Sequence, residues 1–291
     1  MGLVYIDGEL FKKEEAKISV FDHGLLYGDG VFEGIRVYNG RVFKLNEHLE
    51  RLYKSAKYIM LTIPLTKEEL TKAVIETIKA NELQDAYIRL LVTRGAGDLG
   101  LDPKKCPKPS VIIIVDKISL YPKECYENGL EIVTVPTRKN IQEALSPCAK
   151  TLNYLNSILA RIEASNAGVL EAVMLNTEGY VTECSGDNIF IIKNHTLTTP
   201  PLWVGVLEGI TRDTVMKIGE EMGLKVVENV LTRFDLYTAD ECFLTGTAAE
   251  VIPVVRIDNR IIGTGKPGIT TLKITEIFHK LTQREGTEIY K

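Results

Sequence analysis

The sequence has few cysteines, no long apolar run and no leader pattern at its start. Its five cysteines are odd in number, scattered and never spaced as C-x-x-C, so they predict reduced structural thiols. The longest apolar run, 111–115, is far too short to span a bilayer. No basic segment leads into an apolar one at the N-terminus. We therefore expect a cytoplasmic protein that does not enter a membrane.

The sequence also lacks an excess of basic charge. The 35 lysines and arginines are outnumbered by 39 aspartates and glutamates, which gives a formal net charge of −4. No basic field is present to attract a polyanion, so nucleic acid is not expected as the main ligand. There is no Gly/Ser-rich, proline-rich or acidic block, and the whole chain of 291 residues is expected to fold into one large or two ordinary domains.

Strand and turn signals dominate the first third of the chain. Asp-Gly at 7–8 and Asn-Gly at 39–40 supply the positive φ angles of tight hairpin turns. Asn46 is predicted to cap an amphipathic helix, and Thr66 with Glu69 forms the pattern of a capping box. These signals predict helices packed on a mostly antiparallel sheet.

A polar stretch without sustained periodicity interrupts the pattern and predicts the domain boundary. We expect an N-terminal domain of residues 1–116, an interdomain loop of 117–128 and a C-terminal domain of 129–291. Strands interrupted by helices without strict β-α-β alternation favour an α+β fold. In the second domain, helices are predicted at about 153–166, 212–222 and 270–282.

Lys150 is the first residue whose surroundings suggest chemistry. It stands just before a predicted helix start that Asn153 could cap. A lysine that attacks an aldehyde must be neutral, and a partly buried site beside cationic or apolar groups lowers its pKa. Taken alone, the same lysine is more often a solvated surface residue.

Three later segments could hold an anionic or aromatic ligand. Glu183 lies between a turn and a strand, where a carboxylate can keep a pyridine nitrogen protonated. Residues 206–213 run from a glycine turn into a helix, whose free N–H groups attract anions. Small residues in 244–253 would let backbone N–H groups approach an anion closely. Each has an ordinary alternative: a solvated glutamate, a helix cap and a tight turn.

Seven short motifs follow one another along nearly the whole chain. They are Phe32-Glu33-Gly34-Ile35-Arg36, Glu47-His48-Leu49-Glu50-Arg51-Leu52, Tyr87-Ile88-Arg89, Lys150-x-x-Asn153-Tyr154, Glu183, Gly209-Ile210-Thr211-Arg212 and Gly246-Thr247-Ala248-Ala249-Glu250. In this order the chain resembles the branched-chain amino acid aminotransferases of class IV. The resemblance implies the two-domain fold type IV, an α+β architecture with a smaller N-terminal α/β sandwich and a larger C-terminal pseudo-barrel.

The resemblance also implies a cofactor, pyridoxal 5′-phosphate, and no metal. Lys150 would bind it as a Schiff base and then act as the base that moves a proton on the substrate. Tyr154 would donate to the phenolate oxygen, and Glu183 would pair with the pyridinium nitrogen. The remaining implied contacts, to the phosphate and the ring face, are Arg51, Leu207, Gly209, Ile210, Thr211 and Thr247.

The activity implied by the resemblance is transamination by a ping-pong mechanism. Leucine, isoleucine or valine would exchange its amino group with 2-oxoglutarate, giving a branched 2-oxo acid and L-glutamate in branched-chain amino acid biosynthesis. The implied substrate contacts are Tyr27, Phe32, Gly34, Arg36, Tyr87, Arg89, Thr247 and Ala248. Because Tyr27 would reach over from a second subunit, a homodimer or a higher homo-oligomer is expected.

Two other functions remain open at the level of sequence. A D-amino acid aminotransferase or an aminodeoxychorismate-type lyase would keep the cofactor, and Arg94 in the glycine-rich loop 93–100 is reminiscent of those relatives. The Arg-x-His pair associated with the D-specific enzymes is missing there. A small-ligand binding protein without catalysis is the third possibility, although both Lys150 and Glu183 are present.

Overall fold

The structure is a computed structural model that describes residues 2–290. They form two compact units, of which the first comprises residues 2–118, 149–153 and 282–290. The second unit comprises residues 119–148 and 154–281. Among the described residues, no helix is long and apolar enough to cross a membrane.

Both units contain helices and strands. The helices are α1 (His23–Tyr27), α2 (Leu45–Tyr58), α3 (Lys67–Asn81), α4 (Lys123–Asn128), α5 (Leu155–Asn166), α6 (Ile210–Glu221), α7 (Arg233–Tyr237) and α8 (Ile269–Thr282). The strands in the first half of the chain are β1 (Leu3–Ile6), β2 (Glu9–Lys12), β3 (Gly30–Tyr38), β4 (Arg41–Val42), β5 (Ala86–Thr93), β6 (Ser110–Asp116) and β7 (Leu130–Thr134). Those in the second half are β8 (Glu171–Leu175), β9 (Val181–Cys184), β10 (Asn188–Lys193), β11 (Thr196–Thr199), β12 (Lys225–Glu228), β13 (Glu241–Gly246), β14 (Glu250–Ile257), β15 (Arg260–Ile261) and β16 (Thr287–Glu288).

The first unit is built on a seven-stranded antiparallel sheet in the order β16-β4-β3-β5-β6-β1-β2. Strand β3 alternates between two faces, and its odd-numbered apolar residues Val31, Ile35 and Val37 are fully buried. Helix α2 packs on β3, and helix α3 packs on β1 and β6. The core of the unit therefore lies between one face of this sheet and the two helices.

The second unit is built on a nine-stranded mixed sheet. Its main path is β12-β11-β10-β13-β14-β7-β8-β9, with β15 paired to β14. The sheet curls, because β9 at one end of the path packs against β10. Apolar residues of β10, β13 and β14 fill the core that this curled sheet encloses, including Ile189, Leu244 and Ile252.

Local capping signals predict the start of one helix correctly and the starts of two others wrongly. Thr66 and Glu69 form the predicted capping box of α3. Asn46, predicted as a cap, lies inside α2, whose N-cap is Lys44 in a left-handed conformation. Asn153 does not cap α5 either, because its side chain donates to the Gly28 carbonyl at 2.9 Å. In both cases a tertiary contact or a special backbone conformation replaced the local signal.

Candidate active site

One face of the β3–β5 pair carries most of the predicted substrate-binding residues. The even-numbered residues of β3 share this face with residues of β5, since Gly34 pairs with Arg89 and Arg36 pairs with Tyr87. The Arg89 guanidinium carbon lies 4.7 Å from the centre of the Phe32 ring. It also lies 5.4 Å from the centre of the Tyr87 ring. Aromatic surface and positive charge thus meet on this face, which is the predicted substrate wall of the site. It consists of Phe32, Gly34, Arg36, Tyr87 and Arg89.

Gly34 makes room for Tyr87 on that wall. A Cβ atom at position 34 would lie 2.1 Å from the Tyr87 hydroxyl oxygen, which is far inside any allowed contact. Only glycine therefore permits the observed position of the tyrosine ring. Beside them, the Arg36 guanidinium carbon lies 4.9 Å from the centre of the Tyr38 ring.

Lys150 lies at the edge of the same wall. Residues 150–152 run antiparallel to the start of β3, where the Phe32 N–H donates to the Lys150 carbonyl at 3.0 Å. The Lys150 N–H in turn donates to Ser55 Oγ at 3.0 Å. The ammonium nitrogen lies 4.5 Å from the centre of the Phe32 ring. The backbone thus fixes the lysine against the predicted substrate wall.

Arg51 belongs to a buried cluster on the opposite face of β3. Its Nε and Nη2 donate to the two carboxylate oxygens of Glu33 at 2.7 and 2.8 Å. His48 Nδ1 donates to the same carboxylate at 2.7 Å. Glu33 is fully buried, and a two-point fork of this kind fixes the plane of the guanidinium group.

The charges of this cluster determine its protonation. Burial alone would raise the pKa of Glu33, but Arg51 and then His48 outweigh it and lower the pKa to about 2. Burial lowers the pKa of His48, and the positive charges of Arg51 and Lys150 lower it further against the opposing effect of Glu33. We therefore assign an ionised carboxylate and a neutral imidazole that donates through Nδ1.

Tyr27 and Arg94 hold neighbouring loops of the first unit. The Tyr27 hydroxyl donates to the Leu99 carbonyl at 2.6 Å, which ties helix α1 to the loop at 94–100. Arg94 forms a two-point contact with Asp29 at 2.9 Å. Arg94 also donates to the carbonyls of Ile59 and Met60. Its guanidinium group is thus engaged in tying loops together.

Glu183 lies in β9 of the second unit, nearly buried and surrounded by donors. Its Oε2 accepts from the Leu207 N–H at 3.0 Å and from Asn188 Nδ2 at 3.2 Å. Its Oε1 lies 2.6 Å from Lys139 Nζ. Asn188 Nδ2 also donates to the Leu207 carbonyl at 3.1 Å, so one amide joins the two predicted cofactor residues.

The start of helix α6 has the features of an anion site. Gly209 is the N-cap, and within residues 2–290 no side chain caps this end, so the N–H groups of Ile210 and Thr211 are not claimed by a cap. A Cβ atom at Gly209 would lie 2.0 Å from Asn188 Oδ1. Helix α6 packs against β13, the strand that leads into Thr247.

The turn between β13 and β14 carries Thr247 and Ala248. A Cβ atom on Gly246 would lie 2.1 Å from Asp187 Oδ1, so the backbone passes close to that carboxyl group. Burial and the nearby Glu171 carboxylate raise the pKa of Asp187 well above its usual range. The Tyr121 hydroxyl lies within hydrogen-bond distance of both carboxyl groups. A buried polar network therefore supports this turn.

The sequence assigns no role to four side chains that contact the predicted site residues. Glu33 and His48 fix Arg51, while Lys139 and Asn188 contact Glu183. Part of the first group could have been found, because His48 and Arg51 are three residues apart on one helix face and Glu33 is a lone acid in an apolar strand. Lys139 lies in an irregular segment, where no periodic pattern marks it.

A comparison with known protein families identifies the family of this chain. The profile of the amino-transferase class IV family matches residues 30–257, which contain every motif described above. The chain belongs to the class IV aminotransferases. This confirms the resemblance seen in the motifs.

Three similar proteins illustrate how far the likeness extends. A protein of Methanocaldococcus jannaschii, whose name assigns it to the branched-chain-amino-acid aminotransferases, is 53% identical over 287 residues and 99% of each chain. The crystal structure of the Escherichia coli branched-chain amino acid aminotransferase has a TM-score of 0.94 at 36% identity, covering 97% of this chain and 96% of that one. The holo form of the Thermobaculum terrenum enzyme, with pyridoxal phosphate, has a TM-score of 0.87 at 31% identity, covering 97% and 94%.

The likeness confirms the predicted fold class. The α+β architecture, with a curled sheet in the second unit, superimposes on fold type IV aminotransferases over almost the whole chain. A TM-score of 0.94 over 97% of this chain establishes that the two proteins share one fold.

Proposed function

We propose that this class IV aminotransferase transfers the α-amino group of leucine, isoleucine or valine to 2-oxoglutarate. The observation that carries the proposal is the position of Lys150, whose ammonium group lies against the Phe32 ring on the wall that also holds Tyr87 and Arg89. An amine, apolar surface and a cation meet there. A substrate pocket of this enzyme needs all three, because it must accept an aliphatic side chain and the second carboxylate of glutamate in turn.

The proposed cofactor is pyridoxal 5′-phosphate, which the holo form of the Thermobaculum terrenum enzyme carries. When bound, it supplies an aldehyde that takes up the amino group and a ring that withdraws electrons from the substrate carbon. The residues present fit it: Glu183 offers an oriented carboxylate, and Gly209 and Gly246 hold positions that no Cβ could share.

The chain's own residues have distinct proposed roles toward this cofactor. Lys150 binds it covalently and moves the substrate proton, Glu183 keeps the ring nitrogen protonated, and Tyr154 donates to the phenolate oxygen. Arg51 binds the phosphate, with its guanidinium plane set by Glu33. The other proposed contacts, to the phosphate and ring face, are Leu207, Gly209, Ile210, Thr211 and Thr247.

Substrate contacts are proposed on the wall of β3 and β5. Phe32, Gly34 and Arg36 line the pocket, and Tyr87 holds the α-carboxylate with the backbone at Thr247 and Ala248. Arg89 receives the distal carboxylate of glutamate, because it is the cation that lies against the Phe32 and Tyr87 rings.

The buried position of Arg94 favours this function over the D-specific and lyase alternatives. Its two-point contact with Asp29 and its bonds to two backbone carbonyls leave its guanidinium group committed to the loop. A substrate carboxylate would have to displace Asp29 to be held by Arg94, at the cost of a partly buried ion pair.

The test is an initial-rate profile across amino donors with 2-oxoglutarate. We expect L-leucine, L-isoleucine and L-valine to be the best donors, while D-alanine gives no rate above background. Lys150→Ala should lose turnover by at least about a thousandfold, since it removes both nucleophile and base. Faster turnover with D-alanine, or pyruvate release from aminodeoxychorismate, would contradict the proposal.

We also propose that the chain acts as a homodimer or a higher homo-oligomer, with Tyr27 completing the site of the neighbouring subunit. Helix α5 supports this, because Leu155, Ile158 and Leu159 are exposed at helical spacing and form an apolar stripe. Sedimentation should give at least a dimer, and the Ile158→Asp variant should dissociate. A monomeric, fully active wild-type protein would contradict this assembly.

The proposed cellular location is the cytoplasm. The proposed substrates of the enzyme are small, soluble amino and 2-oxo acids, and branched-chain amino acid biosynthesis is proposed to use them in that compartment. Fractionation of expressing cells should place the activity in the soluble cytosolic fraction, and recovery with membranes would contradict the proposal.

A further inference from the structure

Lys139 is a buried cation in contact with Glu183, the carboxylate proposed to face the cofactor ring. Its Nζ lies 2.6 Å from Glu183 Oε1, and each of the two side chains is only 9% exposed. The Lys139 N–H donates to the Leu175 carbonyl at 2.9 Å, at the end of β8. Strand β8 pairs with β9, which carries Glu183. The backbone therefore places this lysine.

Glu183 already accepts three hydrogen bonds in this arrangement. Lys139 occupies one oxygen, while the Leu207 N–H and the Asn188 amide share the other. A group that accepts from three donors behaves as an ionised carboxylate, because a protonated acid would have to donate. The carboxylate has capacity for about one more donor, which suits the N–H of a protonated ring.

Lys139 remains charged in spite of its burial. Desolvation lowers the pKa of a buried lysine, but the charge and hydrogen bond of Glu183, together with Tyr154, outweigh that effect and leave the pKa above its usual value. The pair therefore has no net charge before the ring arrives. A protonated ring then adds a second cation to a carboxylate that already has one.

We propose that Lys139 is a positioning residue that holds Glu183 ionised and oriented, and whose charge limits how firmly the bound cofactor retains its protons. The inference rests on the proposed function, because it needs a ring nitrogen at Glu183. A lone buried carboxylate would bind that proton more tightly than one shared with an ammonium group. Lys139 thus has two effects. It keeps the Glu183 carboxylate ionised before the cofactor binds, and it prevents over-stabilisation of the protonated form of the bound cofactor.

The test is the pH dependence of the visible absorption of the holoenzyme, which changes as the bound cofactor gains or loses a proton. Removal of a nearby cation makes protons easier to retain. In Lys139→Met the absorption midpoint should therefore move to higher pH by about one unit. Lys139→Arg keeps the charge and should stay within about 0.3 unit of the wild type.

Two further variants make the test decisive. Lys193→Met removes a cation of the same unit that is bonded to Thr238 Oγ1 at 2.9 Å, and it should leave the midpoint unchanged. Lys139→Gln removes the charge but keeps an N–H donor for Glu183, so it serves if the methionine variant fails to fold. It should shift the midpoint in the same direction.

The outcomes separate this inference from the proposed function. A wild type that binds no pyridoxal phosphate would overturn the function itself. A coloured wild type whose neutral variants keep its midpoint would overturn only the role of Lys139. Loss of folding in both neutral variants would assign the lysine a purely structural role and overturn the inference as well.

Discussion

At the scale of single residues, the site depends on buried charges that neutralise one another in small groups. Glu33 is compensated by Arg51, with a hydrogen bond from His48, and Glu183 is compensated by Lys139. Such groups are costly to break, because removal of one partner leaves the other charge buried and unpaired. The same groups fix side-chain orientation, which a cofactor or substrate site requires.

Acid titration of Glu33 provides the first prediction. Its pKa falls from an ordinary 4.5 to about 2 in the folded protein. The stabilisation is therefore fully present above pH 4.5 and is lost as the pH falls toward 2. Glu33→Gln should lower the free energy of unfolding at pH 7 by about 3 kcal/mol.

Urea unfolding of wild type and Glu33→Gln between pH 7 and pH 3 checks this prediction. The difference in free energy of unfolding should stay constant down to the ordinary pKa of a glutamate and shrink below it. Glu47→Gln, on the exposed side of α2, is the matched control. A difference that does not depend on pH would show that Glu33 acts by packing alone.

The second prediction concerns Arg51. Arg51→Lys keeps a positive charge but loses the fork that Glu33 engages through two nitrogens. The dissociation constant for pyridoxal phosphate should rise by about tenfold to a hundredfold, with kcat at saturating cofactor changed by less than about threefold.

Equilibrium binding of pyridoxal phosphate to the apoenzyme measures this effect. Arg41→Lys offers a control, because Arg41 pairs with Glu288 between strands β4 and β16, where both side chains are partly exposed. Unchanged cofactor affinity in Arg51→Lys would assign the phosphate to other residues.

At the scale of elements, the wall of β3 and β5 depends on the match between a glycine and a tyrosine on neighbouring strands. Gly34→Ala would bring its methyl group into the space of the Tyr87 hydroxyl. The free energy of unfolding should fall by about 1 to 3 kcal/mol, as is typical of overpacking. The KM for L-leucine should rise as Tyr87 is displaced.

A double-mutant cycle tests the pairing. In a Tyr87→Ala background, Gly34→Ala should cost less than about 0.5 kcal/mol, because the obstructing ring is gone. Additive costs in the double variant would mean that the alanine is accommodated elsewhere and that Gly34 does not serve Tyr87.

Elements with a long periodic pattern were well predicted, and short ones were not. The helix expected at about 270–282 is observed at Ile269–Thr282, and the one expected at 212–222 is observed at Ile210–Glu221. Helices α1, α4 and α7 have five, six and five residues. One or two turns show no measurable period, so the sequence could not reveal them.

Strand β9 shows why the surroundings of a proposed cofactor-binding residue are harder to predict than its identity. The local sequence predicts Glu183 between a turn and a strand, but the structure has it within a four-residue strand. Two of its hydrogen-bond partners are 44 residues before it and 24 residues after it, at Lys139 and Leu207. Contacts at such separations depend on sheet topology, which no local pattern encodes.

At the scale of the whole molecule, the segment that contains Lys150, the proposed cofactor lysine, groups with a part of the chain remote from it in sequence. Residues 149–153 belong to the first unit, where they pair with the start of β3, while the residues on either side belong to the second. The domain boundary predicted at 117–128 stays a prediction. The order of the motifs identified the family without knowledge of these units, because the motifs contain the residues that the chemistry requires and do not depend on the topology.

The proposed activity requires a covalent bond between Lys150 and the aldehyde of pyridoxal phosphate. The purified protein should be incubated with pyridoxal phosphate, reduced with borohydride, digested and analysed by peptide mass spectrometry. We predict one phosphopyridoxyl group per chain, on the peptide that contains Lys150, and none in the Lys150→Ala variant. A label on another lysine, or no label on any lysine, would contradict the assignment of the active site.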